Sequence, residues 1–397
     1  MPLYAFGSNG SGQLGVGHAE DLSLPTKCLF AHDDVSERDQ APPVPEESRK
    51  CETHVDIGAT AATAAAAAAE DDYVRSICAG GNHTLVLLTS GTVYAAGSNG
   101  GGRCAHDPAT VDKLLRFSRV VVSDDGSSRG RLVDRFSAVS ATWEASFLVD
   151  AEGARVYAVG SGSKGELGLG QKITETATPV RIPHFPPAGT KIVATASSGW
   201  HTVAVLSNGE VYGWGSARKG QLGKHGIQDK IYWSPTKIED VPFPANQVAC
   251  GREFTAITGD PVDGKIIILG SDKWAVQSAA PRSVPGYSRL FASWHNIYVH
   301  KEDGSLLSWG RNDRGQLPPS DTPKLSKAAV GSEHVIAVTE SAELVACGWG
   351  EHGNCGPTTD AQGNVTGCWA NIPLEVDKGK KIIAVGAGCA TSWVVTK

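Results

Sequence analysis

The apolar positions of the chain fall into short runs set apart by glycine turns. His83-Thr-Leu-Val-Leu87 is followed by Ser90-Gly-Thr and then by Val93-Tyr94, and His201-Thr-Val-Ala-Val205 is followed by Asn208-Gly-Glu and Val211-Tyr212. A short apolar run, a tight turn carrying glycine and a second apolar run predict a β-hairpin. Weaker copies of the hairpin begin at Val139, Ala249, Ala292, Val330 and Val385. No apolar stretch reaches the roughly 18 residues that a membrane helix requires, and the alanine run Ala64 to Ala69 runs directly into Glu70, Asp71 and Asp72.

Each returning strand ends in a second, glycine-rich element. It reads Tyr4-Ala-Phe-Gly-Ser-Asn-Gly-Ser-Gly-Gln-Leu-Gly15, with further copies at Tyr94 to Ala105, Tyr157 to Gly168, Tyr212 to Gly223, Ile267 to Ser278, Leu307 to Pro318 and Val345 to Gly356. The leading glycines are Gly7, Gly97, Gly160, Gly215, Gly270, Gly310 and Gly348, spaced by 90, 63, 55, 55, 40 and 38 residues. From Gly348 through the C-terminus back to Gly7 is a further 56. Seven copies that close on themselves at a normal repeat length predict a ring. The last hairpin, ending Trp393-Val-Val-Thr-Lys397, stops where its return strand is due, and Met1 to Phe6 supplies it.

The expected fold is therefore all-β, a seven-bladed β-propeller over residues 1–397, closed by pairing of N- and C-terminal strands. Glycines at the first, sixth and ninth places of the repeat are expected at positive φ. Copies that depart from it, at Ala275, Ser278 and Pro318, predict irregular blades. Residues 18–72, acidic and rich in proline and alanine, and residues 106–135 read as insertions, the first largely mobile.

Composition narrows the function. There are 36 Lys and Arg against 42 Asp and Glu, a net charge of −6, so the chain lacks the excess of cations that coats nucleic acid. Its 47 glycines are explained by the turns. The N-terminus shows no basic region, apolar core or cleavage site of a secretory leader. Nine scattered cysteines, without a CxxC pair, suit reduced thiols in cytosol or nucleus. Gly160-Ser-Gly162-Ser-Lys-Gly165 matches the dinucleotide fingerprint but is the third copy of the repeat, so no cofactor site is read there.

The elements GxxHTxxL and YxxGSNxxGQLG resemble the regulator-of-chromosome-condensation propeller family over nearly the whole chain outside the insertions. Within it, the opening Tyr4 to Asp21 and the absence of extra domains are similar to the fungal killer-toxin-insensitivity branch. That resemblance implies a non-enzymatic scaffold forming a heterodimer with a small CSL-type zinc electron carrier. It further implies service to Elongator-dependent modification of transfer-RNA wobble uridines and to diphthamide synthesis on elongation factor two, in the cytoplasm and also the nucleus. The alternative within the family is guanine-nucleotide exchange on a Ran-type small GTPase.

Candidate chemistry is sparse. His83, His201, His295 and His334 share one repeat position, with Trp143, Phe254 and Cys389 in the other copies; repetition favours a packing role, an imidazole bonded to neighbouring backbone, over catalysis. Cys28, His32, Cys51 and His54 have loosely finger-like spacing without the order of a zinc finger, and His352, Cys355 and Cys368 form a weaker set, so no metal site is expected. The residues just before the histidine position, read as Asn82, Thr142, Trp200, Glu253, Trp294, Glu333 and Gly388, are expected on one face of the ring. Trp200, Trp294 and Trp274 are read as anchors for a partner protein, with Arg252, Glu253 and Glu333 as charges that align it.

Overall fold

The computed structural model describes residues 2–31, 72–124, 130–375 and 379–397. Among the described residues seven antiparallel sheets follow one another around a central channel, and a two-stranded ladder of Val122–Ser123 with Leu132–Val133 lies between the first two. Blade 1 comprises Val74–Ala79, His83–Leu88, Val93–Ser98 and Lys113–Arg119; blade 2 comprises Phe136–Ala141, Ala145–Asp150, Val156–Ser161 and Glu175–Arg181. Blade 3 comprises Ile192–Ser198, His201–Leu206, Val211–Ser216 and Ile231–Lys237. Blade 4 (Gln247–Cys250, Phe254–Thr258, Ile266–Gly270) and blade 5 (Tyr287–Ala292, Asn296–Lys301, Leu306–Gly310) have three strands each. Blade 6 comprises Leu325–Val330, His334–Thr339, Leu344–Trp349 and Asn364–Asn371.

Blade 7 joins the two ends of the chain. Ile382–Ala387 and Thr391–Thr396 are continued by Leu3–Gly7 and Leu22–Lys27. Leu3 pairs with Val395, Ala5 with Trp393 and Gly7 with Thr391, so the seam is a full antiparallel ladder. The expected propeller and its closure are both present.

The second strand of each blade shows why the sequence reads as unbroken apolar runs. His83–Leu88, Ala145–Asp150, His201–Leu206 and His334–Thr339 are buried at every position, because both faces of the sheet pack on neighbouring blades. Trp214 meets Phe147 and Phe185 between blades 2 and 3, and Trp393 sits with Phe117 between blades 7 and 1. Burying such an aromatic side chain contributes roughly 3 kcal/mol.

The repeat glycines have a geometric reason. Gly7, Gly12 and Gly15 have φ of 111°, 77° and 66°. All seven leading glycines have positive φ, and in each a Cβ would be driven into a carbonyl oxygen at the start of the blade's second strand. In the four-stranded blades the register against the fourth strand shifts at this glycine, so the residue forms a bulge.

Departures from the repeat coincide with the reduced blades. Ala275, with φ of 57°, and Ser278 lie in the loop that leaves blade 4; Pro318 lies in the loop that leaves blade 5. Gly160 to Gly165 is a strand end and turn with no helix after it, as the repeat reading requires.

The insertions are smaller than the sequence suggested. Leu22–Lys27 and Lys113–Arg119, inside the stretches 18–72 and 106–135, are outer blade strands. Both carry mainly exposed or half-buried residues, so their apolar signal is weak. The mobile character expected for 18–72 falls mostly on residues 32–71, outside the described residues.

The ring has two distinct ends. At the front lie the turns between first and second strands, around the channel mouth, and the loops that follow the third strands. At the back lie the hairpins between second and third strands and the crossings from blade to blade.

Candidate interaction face

A backbone hydrogen bond fixes the register of the front end in all seven blades. The residue after each leading glycine donates its N–H to the carbonyl just before the second strand: Ser98 to Asn82, Ser161 to Glu144, Ser216 to Trp200, Ser271 to Glu253, Arg311 to His295, Trp349 to Glu333 and Ser8 to Ala390. The equivalent positions are therefore Asn82, Glu144, Trp200, Glu253, His295, Glu333 and Ala390. Thr142, Trp294 and Gly388 do not belong with them, which corrects three of the seven alignments read from sequence. Trp294 lies one position earlier, with Gly81, Trp143, Gly199, Arg252, Ser332 and Cys389.

The histidine position shifts accordingly. It is occupied by His83, Ala145, His201, Phe254, Asn296, His334 and Thr391, and His295 falls outside it. The three buried imidazoles join blades. Nε2 of His83 lies 2.8 Å from Ser146 Oγ, that of His201 3.0 Å from Thr255 Oγ1, and that of His334 2.9 Å from Ser392 Oγ. Ser146 donates its own proton to the Arg103 carbonyl and Ser392 to that of Asn354, so Nε2–H must donate at His83 and His334. For Nε2 the partner is a hydroxyl of the next blade, and at His201 and His334 the backbone of Phe254 and Thr391 also acts on the ring, as the sequence suggested. Burial, with the Arg103 charge adding to it, pushes His83 down to about 3; burial pushes His201 and His334 down to about 4. These rings are neutral links in the frame.

Aromatic side chains gather on one side of the front mouth. Trp143 of blade 2 and Trp294 of blade 5 meet with ring centroids 6.0 Å apart. Two glycines make room: the Trp143 indole lies where a Cβ on Gly81 would be, and Gly199 of the intervening blade contributes no side chain. Backbone bonds tie the mouth together, Gly81 to Trp143, Trp143 to Gly199, Arg252 to Trp294 and Trp294 to Ser332.

The Arg252 guanidinium lies over both Trp200 and Trp294, 5.3 and 5.5 Å from their centroids, and Lys164 Nζ is 4.7 Å from that of Trp200. Trp143, Trp200, Trp294, Gly199 and Arg252 enclose a largely apolar hollow of about 160 Å³. Around it the loops of blades 2 to 4 present exposed Lys164, Arg218, Lys219 and Lys273. None of these four, nor Arg252, forms an ion pair among the described residues. A chain of net charge −6 thus carries a cationic arc at one end.

The remaining sequence-picked residues lie around this cluster. Glu253 is half-buried beside Arg252. Trp274 is 43% exposed at φ of 64°, with the Arg311 guanidinium 5.5 Å from its ring. Glu333 is 6% exposed: it accepts from Arg311 Nη1 at 2.6 Å and from Gln316 at 3.4 Å. With Asp313, which pairs with the Nε and Nη2 side of the same guanidinium at 2.6 and 2.8 Å, it holds Arg311 beside Trp274, and it is not presented to solvent as the sequence suggested. Trp143, which sequence reading placed among packing residues, is 37% exposed and belongs to the cluster. Its match with Trp294, two residues before a second strand, was the available signal.

Of the four finger-like residues, Cys28 is buried and donates to the Leu14 carbonyl, while His32, Cys51 and His54 lie outside the described residues. Among the described residues no three His, Cys, Asp or Glu come together to hold a metal ion.

Residues 3–394 match the model of the RCC1-like domain, and the chain belongs to this family of propellers. An RCC1 repeat-containing protein of Schizosaccharomyces pombe is 28% identical over 99% of this chain and 98% of its own length. The secretion-regulating guanine nucleotide exchange factor of Mus musculus is 23% identical over 99% of this chain and 83% of its own. Among solved structures, Prp20p of Saccharomyces cerevisiae superposes with a TM-score of 0.73 at 18% identity, covering 99% of this chain and 90% of that one. Human WBSCR16 superposes at 0.71 and 17%, over the whole of both chains.

Proposed function

We propose that the protein is a non-enzymatic scaffold whose front face holds a small protein partner, a CSL-type zinc electron carrier, in a one-to-one heterodimer. The observation that carries the reading is Arg252 set between Trp200 and Trp294, with Trp143 against them. Large, rigid aromatic groups with an arginine among them are what protein-binding hot spots are made of. The surrounding Lys164, Arg218, Lys219 and Lys273 favour an acidic surface on the partner and speed its approach. Through that partner the scaffold serves Elongator-dependent wobble-uridine modification and diphthamide synthesis, in the cytoplasm and also the nucleus. By itself the closed ring is a monomer and takes no cofactor.

The second reading is nucleotide exchange on a Ran-type small GTPase, favoured by the similarity, across nearly the whole chain, to the mouse exchange factor. One experiment separates the two: calorimetric titration with the small zinc protein, alongside nucleotide release from the GTPase. The scaffold reading expects saturable one-to-one binding without release, weakened about thirtyfold or more by Trp200→Ala or Trp294→Ala, a loss of ~2 kcal/mol. No heat with the zinc protein, together with faster release, refutes it in favour of the second.

A further inference from the structure

The back half of the central channel has different chemistry from the front and lies apart from the aromatic cluster. It is a cavity of about 510 Å³ between the inner strands of blades 5, 6, 7 and 1, within the range of small-molecule sites. Three cations line it: Arg75 of blade 1, Arg289 of blade 5 and Lys327 of blade 6. No carboxylate does. Elsewhere on the surface cations are repeatedly paired, as Lys237 with Glu210, Lys265 with Asp263 and Lys324 with Asp303. The channel cations form no ion pair or side-chain hydrogen bond among the described residues.

Their placement follows from local irregularity. The inner strands slip register between Val74 and Ser76, between Tyr287 and Arg289 and between Leu325 and Lys327. Such bulges re-aim side chains at a sheet edge, and the inner strands are the edges that border the channel. Deeper in, Ile77, Val330, Val385 and Phe291 make an apolar wall. A recess with one sign of charge and apolar walls focuses the field of its cations.

We propose that this recess binds a compact polyphosphate anion. A single phosphate engages one cation, whereas Arg75, Lys327 and Arg289 stand on separate blades along half of the ring. A ligand with phosphate groups at several of its edges reaches all three, and arginine supplies the bidentate geometry that phosphate favours.

The test is calorimetric titration of the full chain with myo-inositol hexakisphosphate at low and at moderate salt. Saturable one-to-one binding is expected, weaker in salt. Arg75→Gln, Arg289→Gln and Lys327→Gln are each expected to weaken it about tenfold and the triple variant to abolish it. Lys265→Gln, which removes a cation on a surface hairpin, is expected to change nothing. Absence of saturable binding overturns the proposal, as does binding that survives the triple variant or falls equally with Lys265→Gln. An oligoglutamate peptide that binds as tightly as the phosphate also overturns it, by showing that the recess reads charge alone. If the triple variant loses its near-ultraviolet circular dichroism, the three single variants decide.

Discussion

Acid should open this ring through its histidines, and the window follows from three side chains. Imidazole ordinarily titrates at 6.5, while His83 is held down to about 3 and His201 and His334 to about 4. Between those values the unfolded chain takes up protons that the folded chain refuses. Stability is therefore full above about pH 6.5 and is lost as pH falls toward 4. At pH 5 each histidine withdraws about 2 kcal/mol, and the three together about 6 kcal/mol. That is comparable to the whole stability of many domains, about 5 to 15 kcal/mol. The steepest dependence is about 1.4 kcal/mol per pH unit for each group.

The assay is urea unfolding followed by tryptophan fluorescence at pH 7.5, 6 and 5. The comparison is the triple variant His83→Asn, His201→Asn and His334→Asn, which installs the residue that blade 5 uses at Asn296. Asparagine can still donate but cannot titrate. The wild-type protein should lose most of its stability across this range, and the variant should be nearly flat. His295 remains and is also lowered to about 4, by burial first and then by Arg311, Lys273 and Arg252; being half-exposed, it adds less than one buried group. A triple variant with the wild-type slope would refute the role given to these rings.

Gly215→Ala, at φ of 99° and against the Trp200 carbonyl, should cost about 3 kcal/mol or more, read as a fall in Tm. Gly189→Ala, at φ of 82° but with open space around it, should cost only about 1 kcal/mol. Trp393→Ala empties a fully buried site at the seam and should cost about 3 to 5 kcal/mol in denaturant unfolding. Glu333→Gln keeps the volume but removes the buried charge beside Arg311, so it should lower Tm, while Arg311 stays beside Trp274 on its contacts with Asp313 and tryptophan emission changes little.

The glycines made the ring legible, because a positive φ against a carbonyl tolerates no other residue well and so marks every blade. The histidines misled. They stand in three blades, and aligning the others on the nearest large side chain moved Trp143, His295 and Cys389 out of place. His83, His201 and His334 lie fourteen positions before their leading glycines, and the same count back from Gly310 reaches Asn296, not His295. The outer strands were missed because one face of each meets water, leaving little periodic apolar signal in Leu22–Lys27 or Lys113–Arg119. Trp200, Trp294 and Arg252 were found as individual residues. The contact of Trp143 with Trp294 was not legible, since it depends on Gly81 and Gly199 leaving room for an indole that reaches across from another blade.

The seam in blade 7 also imposes an order in time. Every other blade is woven from neighbouring strands, whose ends meet at an entropic cost of roughly 3 kcal/mol, whereas Leu3 finds Val395 only by bringing together nearly the whole chain, at roughly 5 kcal/mol. An open crescent of stacked blades can thus assemble piece by piece while its two margins remain unmatched. The final ladder, from Leu3 against Val395 to Gly7 against Thr391, is the latch that turns the crescent into a circle, and until it shuts, the inner faces of blades 7 and 1 have no neighbour.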